Sequence, residues 1–204
     1  MPAPAPGRLA RSGRFLCYDA NMIVFLGGFF GSGRASLAQK LAMRHGLHCL
    51  DLYGRKERRR VFSGGKLAER VREPETEEEH MHLYERLARE FPLLSKMYPD
   101  IIIHDSFHLA RPRDYLIHAV RTHFGEPKFV WIEASDERAQ ERFARLKTMS
   151  VIRDIERAVR LRRRQQRDFE PFEREPIVFG NEGSGRDAVE PLWNILQPQA
   201  LHAI

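Results

Sequence analysis

The chain has 204 residues, with 34 Lys and Arg against 28 Asp and Glu and a net charge of +6. That length supports one domain with a substantial core, and no apolar run reaches the roughly 18 residues that would read as a membrane span. Cys17 and Cys49 are the only cysteines, which excludes a disulfide framework and predicts a reducing, cytoplasmic setting. The basic excess suits an anionic partner, whether a nucleotide, a phosphorylated metabolite or nucleic acid, and composition does not choose among them.

Residues 1–21 carry Pro2, Pro4 and Pro6 in a stretch rich in Ala, Gly and Arg, and are expected to be a disordered extension. Met22 stands just before the first ordered element and offers a second translation start. Ile23 to Leu26 read as a buried strand. A glycine-rich loop follows, with Gly28, Gly31 and Gly33, and then a helix over 34–45 that Gly46 ends. Gly28 and Gly33 meet the phosphate-binding pattern G-x-x-x-x-G-K-[ST], but Arg34 stands where Lys is usual and Ala35 where a hydroxyl is usual. The strand–loop–helix setting still aims backbone N–H groups and the positive end of the helix at an anion. Gly28, Gly31, Ser32, Gly33, Arg34, Ala35 and Ser36 are therefore the candidate nucleotide-binding residues. The alternative is a glycine-rich turn of purely structural use. Arg34 keeps the charge but replaces a compact ammonium by a planar fork.

Gly-Ser-Gly-Arg-Ala-Ser resembles the Gly-Ser-Gly-Lys-Gly-Thr loop of adenylate-kinase-like members of the P-loop nucleoside triphosphate hydrolase superfamily. In that register Ser36 takes the place of the hydroxyl. The resemblance implies ATP as ligand, Mg²⁺ as its companion ion, and Ser36 as a metal contact. It implies likewise a small P-loop kinase or an AAA-type ATPase.

Farther along, 47–50 reads as a second strand ending at Asp51. In kinases of this kind an Asp here orients the acceptor, so the resemblance makes Asp51, Arg55 and Lys56 acceptor-site candidates. A loop ion pair between Asp51 and Arg55 is the structural alternative. Residues 54–98 are expected to hold a lid or acceptor insert, with a helix over 75–91 started by Pro74 and by Thr76 and Glu79 at capping-box spacing. Ile101 to His104 form a buried strand, which puts Asp105 at its carboxyl end, where doubly wound sheets bind ligands. Asp105 is thus the second candidate metal residue, as against a carboxylate that merely caps a loop, with Arg113 at the edge of the acceptor site.

A helix over 112–123, a strand over 129–132, helices over 136–147 and 151–168, a strand over 177–179 and a helix over 190–196 complete the alternation. Strands spaced by helices predict a three-layer α/β/α fold with a five-stranded parallel sheet. Residues 22–204 form a single domain on this reading, with an arginine-rich lid near 138–167. By resemblance Arg142 and Arg145 cover the transferred phosphoryl group, and Asn181 to Gly185 lie near the adenine base. Seven arginines between 153 and 167 suit a lid, a solvated helix face or a nucleic-acid contact; few aromatics interleave with them, which disfavours the last. Three functions remain open: an ATP-dependent phosphotransferase acting on a small molecule or nucleotide, a nucleotide-binding module of little turnover that senses or binds a partner, and a polynucleotide-end kinase. In the first, Arg34, Asp51, Arg142 and Arg145 are the catalytic candidates.

Overall fold

Five short strands, β1 (Ile23–Gly27), β2 (His48–Leu50), β3 (Ile101–His104), β4 (Lys128–Glu133) and β5 (Ile177–Gly180), pair in parallel in the order β2-β3-β1-β4-β5. The computed structural model from which this is taken describes residues 22–50, 52, 74, 76–145, 155–183 and 187–197. Among the described residues six helices accompany the sheet: α1 (Arg34–His45), α2 (Glu77–Met97), α3 (Ala110–Phe124), α4 (Asp136–Arg145), α5 (Ile155–Arg167) and α6 (Val189–Leu196). Among the described residues no helix is long and apolar enough to cross a membrane.

The strands are apolar at nearly every position because both faces of the sheet are covered. Ile23, Phe25, Leu50, Ile101 and Ile103 point to one side and pack with Leu83, Leu87 and Phe91 of α2 and with Leu116 and Val120 of α3. Val24, Leu26, Ile102, Val130 and Ile132 point to the other and pack with Leu37 and Leu41 of α1 and with Leu192 and Leu196 of α6. Each such side chain, fully withdrawn from water, favours the fold by about 1.5–3 kcal/mol before entropy is counted. The expected three layers and five strands are both present.

Helix ends follow their local chemistry. Thr76 caps α2 in a complete capping box, its side chain accepting from the Glu79 N–H while the Glu79 carboxylate accepts from the Thr76 N–H. Gly46, at φ 76°, closes α1 with its N–H on the Ala42 carbonyl. Two boundaries differ from expectation. α2 runs to Met97 instead of stopping before Pro92. The proline removes one helical hydrogen bond, but the continuing turns bury Leu94 in the core, which offsets the loss. α3 begins at Ala110, ahead of the expected 112, because Pro112 lies in the first turn where its missing N–H costs nothing.

The register brings the carboxyl ends of the strands together, with Leu26 opposite His104 and Gly27 opposite Trp131. β1 lies between β3 and β4, and the chain passes from one side of it to the other after β3. The crevice at such a switch point is where parallel sheets accept ligands, and the loop after β1 opens there.

Candidate nucleotide site

The loop between β1 and α1 owes its shape to three glycines, Gly28, Gly31 and Gly33, all at positive φ. Gly31 and Gly33 have φ of 86° and 87°, in the left-handed region that other residues avoid. Their space is closed too: a Cβ on Gly31 would lie 2.7 Å from Phe143 Cζ, and one on Gly33 2.5 Å from Asn181 Nδ2. The Ser32 N–H turns back onto the Phe29 carbonyl at 3.0 Å. Among the described residues the amides of Gly31 and Gly33 meet no protein acceptor. Gly33 is also the N-cap of α1, with no side-chain cap and no acidic residue in the first turn. The positive end of the helix is thus uncompensated and faces the loop. Arg34, only 8% exposed, reaches across it to donate from Nη1 to the Gly28 carbonyl at 2.7 Å. The guanidinium ties the end of the loop to its beginning. Ala35 and Ser36 are exposed on α1, and Ser32 is buried.

The far side of the loop is held by side chains from three other segments. Arg142 Nη1 donates to the Gly31 carbonyl at 2.9 Å and to the Ser32 carbonyl at 2.8 Å, while its Nη2 reaches the Asn181 carbonyl at 2.6 Å. Asn181 Nδ2 also donates to the Ser32 carbonyl, at 2.8 Å. Arg162 Nη1 donates to the Phe30 carbonyl at 3.0 Å, and its other nitrogens take the Ala134 carbonyl and Asp136 Oδ1, both at 2.7 Å. Gln165 Oε1 accepts from the Phe30 N–H at 2.7 Å. Both polar backbone atoms of Phe30 are therefore held by one face of α5.

Asp105 follows β3 at the expected place but is sealed, with a relative exposure of 0%. The Tyr84 hydroxyl donates to Oδ2, the Ser106 N–H donates to Oδ1 at 2.6 Å, and His80 Nδ1 stands 3.9 Å from Oδ2. Burial opposes charge on this carboxyl, but His80, Arg34 and the two hydrogen bonds outweigh it and hold the pKa below the ordinary carboxylate value. Burial lowers His80, against the attraction of Asp105. Burial, together with the charge of His80, pushes His108 down to about 4, so its ring is neutral at pH 7, and its Nδ1 lies 2.8 Å from Ser106 Oγ. The turn is strained at Phe107, whose φ is 50°. The ring of Phe107 is locked among Phe25, Tyr84 and Phe129, with centroids 5.4–5.9 Å away.

Not every expected site residue joins this assembly. Arg142 does reach the loop, but on its carbonyls, because α4 approaches from the side where those oxygens point. Arg145 is exposed at the end of α4 and makes no ion pair among the described residues. Arg113 is a strut, not an edge residue: at 1% exposure it donates to the carbonyls of Phe107, Glu170 and Pro171 and lies 4.1 Å over the Phe172 ring. Asp51, Arg55 and Lys56 lie outside the described residues. Tyr84, His80, Arg162 and Gln165 carry contacts that the sequence did not single out. The signal for the last two was present in spacing: Ala158, Arg162 and Gln165 fall at i, i+4 and i+7 and form the buried stripe of α5. A hydrophobic pattern hides such a stripe because two of its three members are polar.

A parallel sheet in this order, with a glycine loop after the central strand leading into a helix, defines the P-loop kinase fold. A gluconokinase from Sinorhizobium meliloti shares it at a TM-score of 0.59 and 17% identity, over 86% of this chain and 91% of that one. A sugar kinase from a Janibacter species aligns at 0.58 and 16%, over 85% and 93%. The APS kinase of Mycobacterium tuberculosis, solved with AMPPNP and APS, aligns at 0.57 and 12%, over 88% and 99%. At these identities the likeness is one of fold. No family model matches the chain, and no curated protein matches it.

Proposed function

We propose that the protein is an ATP-binding phosphotransferase built on a variant phosphate loop in which Arg34 replaces the usual lysine. One observation carries this: the Gly31 and Gly33 amides and the open N-terminus of α1 converge at the carboxyl edge of the sheet, with Arg34 closing the loop onto Gly28. Backbone donors that are already oriented bind phosphate without reorganisation, which is most of what phosphoryl transfer asks of a protein. The sugar kinase, the gluconokinase and the APS kinase solved with AMPPNP and APS, which share the fold, support a small phosphoryl acceptor. Asp51 and Arg55 are the proposed acceptor contacts.

The described residues do not fit a magnesium ion held by Ser36 and Asp105. Asp105 has no exposed surface and both its oxygens carry hydrogen bonds. In this arrangement it braces Tyr84, His80 and the loop after β3, and no step is assigned to it through a metal. That observation favours a second reading, a nucleotide-binding module of little turnover, in which Arg34 and Asp105 both serve structure.

Calorimetric titration with ATP and GTP, with and without Mg²⁺, followed by radiolabel transfer to a metabolite pool, tests both. Absence of nucleotide binding at millimolar concentration sinks both. Binding with transfer that rises in Arg34→Lys supports an enzyme limited by its guanidinium; binding with no transfer in either form supports the module.

A further inference from the structure

We propose that Arg142, Arg162 and Asn181 are positioning residues for the phosphate loop, holding its carbonyls from behind so that its amides face the anion. The inference rests on the nucleotide-binding reading and adds to it the device that shapes the site.

The geometry follows from the planarity of the peptide. In a trans peptide the carbonyl of one residue and the N–H of the next point in opposite directions. The Phe30, Gly31 and Ser32 carbonyls are bonded by Arg162, by Arg142, and by Arg142 with Asn181. Fixing those three oxygens turns the N–H groups of Gly31, Ser32 and Gly33 to the opposite side. Two of those three amides, Gly31 and Gly33, have no protein acceptor among the described residues. A cation on the carbonyl also polarises the peptide and strengthens its N–H as a donor.

The grip depends on the fork of a guanidinium. Arg142 spans Gly31, Ser32 and Asn181 with two nitrogens, and Arg162 spans Phe30, Ala134 and Asp136 with three. A lysine ammonium carries the same charge but cannot tie such separated acceptors in one plane. Arg34 adds a bond of the same kind from within the loop, to the Gly28 carbonyl. Helices α4 and α5 and the residue after β5 thus hold the loop carbonyls from outside the loop.

The test titrates ATP, and separately inorganic tripolyphosphate, into the full chain and into Arg142→Lys, Arg142→Ala, Arg162→Lys and Asn181→Ala, at about 50 and about 300 mM salt. Positioning predicts weaker affinity for both ligands in each variant: about tenfold for the arginine variants, roughly the loss of one charge-assisted bond, and about fivefold for Asn181→Ala, whose amide makes a neutral bond. The salt dependence stays that of the parent, because the number of charges touching phosphate has not changed. Arg142→Lys binding as tightly as the parent overturns the proposal, since charge alone then suffices. So does Arg142→Ala weakening binding only at low salt, the signature of direct contact with phosphate. Amide NMR signals of Gly31 and Gly33 in the ligand-free variants give a second readout: positioning predicts that both move, and unchanged signals refute it. That readout holds even where the parent binds neither ligand, an outcome which defeats the nucleotide reading and not the positioning. Asn181→Ala, which removes one loop bond of a small side chain, decides the matter where Arg162→Lys fails to fold.

Discussion

Tyr84→Phe removes a single hydroxyl from the interior and leaves its ring among His80 and Phe107 undisturbed. The hydroxyl donates to Asp105, a carboxylate with no exposed surface, so water cannot replace the lost bond. A hydrogen bond to a charged group contributes about 1.5–3 kcal/mol. Taking about 2 kcal/mol, a domain of this size should lose about 4–8 °C in melting temperature at pH 7. The pH dependence adds a second condition. The folded-state pKa of Asp105 lies below its ordinary value, so its stabilising contribution is present above the unfolded pKa and is lost as pH falls through the folded one. Without Tyr84 the folded pKa rises, so the gap between parent and variant is full at neutral pH and narrows as pH falls through the folded-state pKa values. Thermal unfolding followed by circular dichroism from about pH 2 to about pH 8 reads both. A variant that melts within about 1 °C of the parent at pH 7, or a gap that does not change with pH, refutes the assignment of Asp105 as an ionised brace.

Other perturbations give separate readings. Gly33→Ala forces a Cβ to 2.5 Å from Asn181 Nδ2 at a φ of 87°; the backbone strain alone costs about 1–2 kcal/mol, and calorimetry should show ATP affinity falling with the melting temperature. Thr76→Ala opens one arm of the α2 capping box and should cost about 1 kcal/mol in denaturant unfolding while nucleotide affinity stays unchanged. His108, held at about 4 against an ordinary 6.5, takes up its proton later than the unfolded chain does. Stability should therefore decline as pH falls from 6.5 to 4, by as much as about 3 kcal/mol, and His108→Gln should flatten that limb in pH-dependent unfolding.

Much of the architecture was legible before any coordinates. Apolar strands of three to six residues between helical stretches read as a sheet covered on both faces, and all five strands and the order strand–loop–helix at residues 23–45 agree with the structure. The capping box at Thr76 and the Gly46 stop are local signals and appear where local chemistry puts them. The helix runs past Pro92 for a physical reason: a proline penalises a helix locally, and only the burial of Leu94, a tertiary effect, shows that the penalty is outweighed.

The site divides in the same way. The glycines and Arg34 lie within seven residues of one another, so pattern and spacing alone mark them as a phosphate loop. What surrounds the loop comes from residues 80–84, 105–108, 142, 162–165 and 181, and no local rule links such distant positions. An arginine reads the same in sequence whether it faces solvent, a phosphate or a carbonyl. Arg113, Arg142 and Arg162 were separated from the exposed arginines only by the packing that brings carbonyl oxygens against them. The sequence by itself determined the strand–helix alternation, the loop and the place of Asp105, because those depend on neighbours along the chain. The tertiary structure decided that Asp105 is sealed and that the loop is shaped from behind by α4, α5 and Asn181, because burial and hydrogen-bond partners are properties of the folded packing.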